Sequence, residues 1–90
     1  MVEPEKRYRR FHHLSAKEID GEFFVVDDTL GKIHSLSQAS SAVWRLLEEP
    51  QSKSECLKVF MDAFPEGDSV DIEKLVSGTI AEMERHGLIY

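Results

Sequence analysis

The spacing of apolar residues changes once along this chain, within the stretch from Gly31 to Trp44. Upstream of it, apolar residues come in short runs separated by turn signals, which is typical of strands. Downstream they recur every three or four residues almost to the end, which is typical of amphipathic helices. The pattern therefore predicts a sheet followed by helices, with Lys32–Leu36 as the last strand and Ser37 at the start of the first helix.

Two turn signals divide the upstream part into three predicted strands. Asp20-Gly21 is a strong two-residue hairpin signal, because both residues tolerate positive φ angles. It separates a first strand within residues 11–19 from a central strand at Glu22–Asp27, which is rich in β-branched and aromatic residues. The turn at residues 27–31 then leads into Lys32–Leu36. If that strand is the last of its sheet, its outer backbone edge is open.

Capping and helix-breaking residues predict where the first two helices begin and end. The first helix starts at Ser37 and ends before Pro50, because a proline pushes the preceding residue out of the helical region. The second starts at the capping box formed by Ser52 and Glu55. An apolar stripe on the second helix is predicted to face the core, and it consists of Cys56, Leu57, Val59, Phe60 and Phe64.

The third helix is predicted to begin at Asp71 and to end near His86, with Gly87 as a left-handed C-cap. Its core face is formed by Ile72, Val76, Ile80 and Met83, which lie three or four residues apart. The adjacent row is formed by Leu75, Thr79, Glu82 and His86. This row is neither strongly apolar nor wholly charged, so it can line a groove. Together the elements predict an α+β domain, a three-stranded antiparallel sheet followed by three helices in a winged-helix-like order.

Length and composition are those of one small globular domain. The chain has 90 residues, of which 41% are hydrophobic and 31% charged, and single cores are built from about 50 to 200 residues. Its longest uncharged apolar run is much shorter than the roughly 20 residues that span a bilayer. We expect a flexible N-terminal arm over residues 1–10 and the domain over residues 11–90. The lone Cys56 and the lack of a signal peptide lead us to expect a cytoplasmic protein.

Charge is unevenly distributed and disfavours a nucleic-acid partner. The net charge is −6, from 11 basic and 17 acidic residues. Up to His13 there are four basic residues against two acidic ones, so the chain from Leu14 onward has 7 against 15, or −8. Phosphate binding depends on clustered Lys and Arg. An acidic body is better suited to a partner that has a basic segment.

Groups that could carry catalysis or hold a metal do not converge in the sequence. His12 and His13 are neighbours, whereas His34 and His86 are far from them, and none of the four joins Cys56 in a zinc-like spacing. Cys56 falls within the apolar stripe, which predicts a buried and inert thiol. No Gly-rich phosphate loop follows a strand. We therefore expect no catalytic residues, no metal and no cofactor.

The order of these elements resembles the PqqD-like family, the small peptide-binding domains also called RiPP recognition elements. The matching features are Asp20-Gly21, Gly31–Ser37, Val43-Trp44 with Leu46-Leu47, Pro50, Ser52–Glu55 and Met83-x-x-x-Gly87-Leu88-Ile89. The family's usual Asn cap after the strand is replaced here by Ser37, which can cap in the same way. Its usual Leu before the terminal Gly-Leu is Met83, which has a similar volume. The resemblance runs from about Leu14 to Ile89.

This resemblance implies a non-catalytic peptide chaperone. Such proteins bind the leader of a ribosomally made precursor peptide and present its core to a modifying enzyme, often a radical SAM protein or a protease. The leader adds as an extra strand to the third strand and lies against the last helix. Carried over to this chain, the peptide-binding residues are Lys32, Ile33, His34, Ser35, Leu36, Leu75, Thr79, Glu82, Met83 and His86.

Three alternatives stay open at the level of sequence. Lys32 is also the kind of gatekeeper charge that protects a bare strand edge from aggregation, in which case the edge binds nothing. The helix count matches a winged-helix module that contacts nucleic acid, although the second helix mixes Lys53 and Lys58 with Glu55 and Asp62 and presents no basic surface. The third alternative is a structural subunit of a larger enzyme, or a homodimer joined through the edge strand.

Overall fold

The computed structural model describes residues 4–90, which form five strands and three helices. The strands are β1 (Arg7–Tyr8), β2 (Ser15–Ile19), β3 (Glu22–Asp27), β4 (Lys32–Ser35) and β5 (Gln51–Ser52), and the helices are α1 (Gln38–Leu46), α2 (Lys53–Ala63) and α3 (Ser69–Arg85). The predicted α+β class is confirmed, with a three-stranded antiparallel sheet ahead of three helices. This arrangement is consistent with a winged-helix-like fold.

The three-stranded sheet has the order β2-β3-β4, and both neighbouring pairs are antiparallel. Its first turn is the predicted one, with positive φ angles of 52° at Asp20 and 84° at Gly21. β4 ends one residue before the predicted Leu36, but the Leu36 N–H still donates to the carbonyl of Phe23 at 2.9 Å. β4 is therefore an edge strand, as the sequence pattern predicts.

A second sheet, absent from the sequence prediction, joins the N-terminal segment to the rest of the domain. β1 pairs antiparallel with β5, and Arg10 forms a β-bridge with Ile89. Main-chain hydrogen bonds of 2.7 and 2.8 Å join Arg9 and Tyr90 in both directions. The structure thus places part of the predicted arm against the domain. The flexibility of residues 1–10 stays a prediction, of which residues 1–3 lie outside the described residues.

The first two helices begin at the predicted caps. The side chain of Ser37 accepts a hydrogen bond from the backbone N–H of Ser40 at 3.1 Å. The capping box at the start of α2 is complete, because Ser52 and Glu55 each accept a bond of 3.1 Å from the other's backbone N–H. α1 ends at Leu46, earlier than the limit that Pro50 sets. Local side-chain chemistry therefore fixes both starting points.

The predicted cap of the third helix is wrong, whereas the predicted end is confirmed. Asp68, not Asp71, is the N-cap, and it accepts bonds of 2.8 and 3.2 Å from the backbone N–H groups two and three residues on. Asp68 directly follows the turn, so the helix begins there and Asp68 is its cap. Asp71 then lies in the first helical turn, where its negative charge interacts favourably with the helix dipole. At the other end Gly87 has φ 72°, and the Leu88 N–H donates to the Met83 carbonyl at 3.0 Å.

The core lies between the sheet and the helices. It consists of Val25, Leu36, Val43, Trp44, Leu47, Cys56, Phe60, Ile72, Val76, Ile80, Met83, Leu88 and Ile89. The predicted core face of α3 is thus buried in full. The predicted stripe on α2 is only partly buried, because Val59 and Phe64 are 45% and 58% exposed. α2 packs mainly on α3, and those two side chains line an open cavity that Leu46 of α1 and Leu75 of α3 also border.

Within the part of the chain that the structure describes, every helix is too short or too polar to cross a bilayer.

Candidate functional site

A groove of about 390 Å³ lies between the edge strand β4 and the C-terminal half of α3. It is lined by Ile33, His34, Ser35, Leu36, Ser37, Ser40, Glu82, Met83, His86 and Leu88. The groove brings together two parts of the predicted site that are about fifty residues apart in the chain. Seven of the ten predicted site residues are among its lining.

The strand wall of the groove offers main-chain hydrogen-bonding groups. In an antiparallel pair, successive residues direct their N–H and C=O groups alternately toward the partner strand and away from it. Leu36 bonds to Phe23 of β3, and His34, two residues earlier, lies opposite Val25 of the same strand. The alternation therefore directs the main-chain groups of Ile33 and Ser35 away from β3, toward the groove side of the edge.

The floor of the groove is apolar and tightly packed. Leu36, Met83 and Leu88 are 5%, 1% and 2% exposed, respectively. Ile33 is 71% exposed on the edge strand itself, and it lies opposite Val26 in the sheet. Such a floor, beside a wall of main-chain donors and acceptors, suits an extended chain with alternating side chains.

Two histidines face each other across the groove. The ring centroids of His34, from β4, and His86, from the C-cap of α3, are 6.0 Å apart, and the rings are inclined by 57°. The Nε2 atom of His86 lies 3.7 Å from a carboxylate oxygen of Glu82, one helical turn earlier. Glu82 and His86 are exposed, so a charged pair between them is weak. The mouth of the groove is thus polar and able to bond to side chains of a ligand.

Three predicted site residues are not part of the groove lining. Lys32 is exposed at the start of β4, and Thr79 is buried within the fold, with 7% of its surface exposed. Leu75 lies on a different surface, a cavity of about 470 Å³ that it shares with Leu46 of α1 and with Phe64, the C-cap residue of α2. A helix rises about 1.5 Å per residue, so the predicted row extends well beyond the groove. The N-terminal part of this row, at Leu75, faces the other helices and not β4.

Sequence reasoning missed three lining residues, for which local signals exist. Ser37 and Ser40 are joined by a hydrogen bond of 3.0 Å between their hydroxyl groups, at the turn from β4 into α1. The helix-capping pattern that identifies Ser37 also places Ser40 beside it. Leu88 follows the C-cap glycine, and the C-cap motif folds that residue back onto the last turn of the helix. The two caps could therefore have been added to the predicted groove.

The side chains of the groove supply recognition chemistry. They offer hydrogen-bond donors and acceptors at the mouth and apolar contacts at the floor. Among residues 4–90, no group of three His, Cys, Asp or Glu side chains is placed to hold a metal ion. Cys56 is buried in the core, and this burial raises the pKa of its thiol.

Comparisons with known proteins show a family and a shared fold. The family model described as coenzyme PQQ synthesis protein D (PqqD) matches residues 4–89, whereas no curated protein matches the sequence. The structure of TbiB1 in complex with the TbiA(beta) leader peptide has 18% identity and a TM-score of 0.80, over 90% of this chain and 93% of that one. Lasso peptide synthetase B1 complexed with the leader peptide has 19% identity and a TM-score of 0.74, over 92% and 96%. At such identities the likeness shows a shared fold.

Proposed function

The chain belongs to the PqqD family, whose model matches nearly all of it, and from this premise we propose that it is a non-catalytic chaperone for a precursor peptide. It binds the leader segment of the peptide and presents the core to a modifying enzyme, of the radical SAM or protease kind. Two proteins with the same fold were solved with a leader peptide bound. The family resemblance found in the sequence is thereby confirmed, and the leader is the ligand that it implies.

The observation that carries the proposal is the position of an open strand edge beside an apolar groove. A leader in extended conformation pairs with Ile33 and Ser35, each of which offers one main-chain donor and one acceptor. Every second leader side chain then points at the floor formed by Leu36, Met83 and Leu88. The main-chain bonds supply affinity. The apolar floor and the two histidines at the mouth of the groove, His34 and His86, supply selectivity.

The same observation favours an edge that binds a peptide over an edge that is only protected from aggregation. Protected edges carry charges, prolines or bulges along the strand. On β4 the only charged side chain is Lys32, at its first position, and Ile33 beside it is a β-branched residue with most of its surface exposed. An added strand covers Ile33 and leaves Lys32 at the end of the duplex. Leu75 and Thr79 stay predictions of peptide contact that the groove geometry does not require.

The proposal is tested by removing one main-chain donor from the edge. In Ser35→Pro the outward N–H is lost, while the bonds of β4 to β3 are made by alternate residues and are kept. We expect the affinity for the leader encoded beside this gene to fall about tenfold, or about 1.4 kcal/mol. In the wild type, NMR titration with this leader should shift the amides of Ile33, Ser35 and the end of α3.

Ala16→Pro is the matched control for this experiment. By the same alternation Ala16 points away from β3 on the opposite edge strand, β2. Its substitution should leave leader affinity unchanged. Equal losses in both variants, or leader-induced shifts confined to other surfaces, would contradict the proposal. Sedimentation velocity of the protein alone tests the homodimer alternative, since a homodimer joined through β4 would already occupy the edge.

We also propose that the protein binds the leader in the cytoplasm. The precursor is made by ribosomes, and the single cysteine of the chain leaves no pair for the disulfides that are common in oxidising compartments.

A further inference from the structure

A third cavity, of about 460 Å³, lies away from the leader groove. It adjoins β2, the opposite edge strand from β4. Its lining includes Arg9, Arg10, His12, Leu14, Trp44 and Leu47. No residue lines both this cavity and the groove. A ligand held here leaves the leader site free.

Main-chain hydrogen bonds fix the segment that carries the basic side chains of this cavity. Arg9 exchanges two main-chain hydrogen bonds with Tyr90, and Arg10 forms a β-bridge with Ile89. The guanidinium of Arg10 donates to the carbonyl of Trp44 at 2.9 Å and lies over its ring, 4.6 Å from the centroid. The guanidinium of Arg10 is therefore already bonded to the wall of the cavity. In the described part of the chain, the ion pairs involve neither Arg9 nor His12.

Trp44 forms the inner wall of the cavity. It is 2% exposed and belongs to the cavity lining. Within residues 4–90 its buried Nε1 atom has no hydrogen-bond partner. Buried indole N–H groups usually find an acceptor. Because this atom is covered by protein, a ligand in the cavity meets instead the cationic side chains of Arg9 and His12 and three half-buried apolar residues, namely Phe11, Leu14 and Pro50.

We propose that this cavity docks a segment of the modifying enzyme in which carboxylates flank an apolar residue. The guanidinium of Arg9 matches a carboxylate in a bidentate pair, and the half-buried side chains of Phe11, Leu14 and Pro50 accept the apolar neighbour. Naming the enzyme as the partner rests on the proposed function, whereas the acidic-apolar chemistry rests on the cavity. The protein then acts as an adaptor that holds the leader at one sheet edge and the enzyme at the other.

Charge around the cavity disfavours a nucleic-acid occupant. Glu48 also lines it, and the chain from Leu14 onward carries 7 basic against 15 acidic residues. A polyanion that entered beside Arg9 would run along this acidic surface and be repelled. A short segment with one or two carboxylates is not exposed to that repulsion.

The test uses the peptide acetyl-Leu-Glu-Phe-Glu-Leu-amide and its counterpart with Gln in place of Glu. We expect the acidic peptide to shift the NMR signals of Arg9, His12 and the indole N–H of Trp44, which is the only tryptophan of the chain. The Gln peptide should bind at least tenfold more weakly. Arg9→Glu should abolish binding of the acidic peptide, because its main-chain bonds to Tyr90 remain and only the charge is reversed.

Lys58→Glu is the control, since it makes the same charge change at an exposed position of α2 outside the cavity. It should leave peptide binding unchanged. Equal binding of the two peptides, shifts located on β4, or displacement of the acidic peptide by a short DNA duplex would overturn the inference. Loss of leader binding with intact binding of the acidic peptide would overturn the proposed function alone. Leader binding is also expected to survive Arg9→Glu.

Discussion

At the scale of single residues, three side chains serve the core and the groove at once. Leu36, Met83 and Leu88 are buried core residues and also form the groove floor. Truncating any of them removes packing at a cost of about 2–5 kcal/mol, so a loss of binding in such variants cannot be separated from a loss of stability. Exposed neighbours such as Ile33 and Ser35 have no such double role. They are the positions at which recognition can be measured without disturbing the fold.

The thiol of Cys56 gives a prediction about pH. Burial, and secondly the charge of Glu55, raises the pKa of this thiol above its ordinary value. Because the folded-state pKa is the higher one, its contribution to stability is complete below the pKa of the unfolded thiol. That contribution is lost as the pH rises above it. We expect the free energy of unfolding, measured by urea titration, to decrease at alkaline pH by a component that is absent in Cys56→Ala.

Thiol labelling checks the same prediction from the kinetic side. Iodoacetamide reacts with the thiolate, so Cys56 should react far more slowly in the native protein at pH 8 than in urea. Rapid labelling of the folded chain would show that the thiol is exposed or ionised, contrary to its place in the core.

Residue-level signals in the sequence also account for what could be predicted of the site. The caps at Ser37 and Ser52 and the left-handed Gly87 are local features, and all three are confirmed by the structure. Asp68 and Asp71 carry the same capping group, so composition could not choose between them. The choice depended on where the preceding turn ended.

At the scale of elements, the groove lies between β4 and only the C-terminal part of α3. The periodicity of α3 predicts which residues share a face, but it does not say which partner each part of that face meets. For this reason Leu75 was placed in the same row as His86, although the structure assigns them to different cavities. β1 and β5 were missed for a related reason. Each has two residues, too few for a pattern, and the two strands lie half the length of the chain apart in the sequence.

The edge strand leads to a prediction about Ile33. Its side chain is 71% exposed, so Ile33→Ser should change the free energy of unfolding by less than about 0.5 kcal/mol. An added leader strand buries part of this side chain, and the variant should therefore bind the leader about threefold to tenfold more weakly, since each buried methylene contributes about 0.8 kcal/mol. Isothermal titration calorimetry measures the affinity.

Ile19→Ser is the matched control for Ile33→Ser. Ile19 is also an exposed isoleucine on an edge strand, but it lies on β2, with 48% of its surface exposed. Unchanged leader affinity in Ile33→Ser, or an equal loss in both variants, would argue against strand addition at β4.

At the scale of the whole molecule, the fold separates two surfaces of different charge. The basic N-terminal segment is fixed by main-chain bonds to Tyr90 and by the pairing of β1 with β5, and its Arg9 lines the cavity that adjoins β2. The groove beside β4 belongs to the acidic remainder of the chain. The uneven charge was visible in the sequence, but its place on the fold was not, because the pairing of β1 with β5 was not predicted. An adaptor with two such surfaces can select two partners by opposite charge, with little competition between them.

This charge distribution predicts how leader association depends on salt. The net charge of −6 attracts a leader whose bound segment is flanked by Lys or Arg, and such steering raises kon more than it lowers koff. Between about 0.02 M and 0.5 M NaCl the Debye length falls severalfold, so we expect kon for a basic-flanked leader to fall about tenfold in stopped-flow measurements. A leader with Gln at the flanking basic positions should show little change. If both leaders associate at the same salt-independent rate, long-range charge plays no part in the encounter, and the groove alone must account for the choice of peptide.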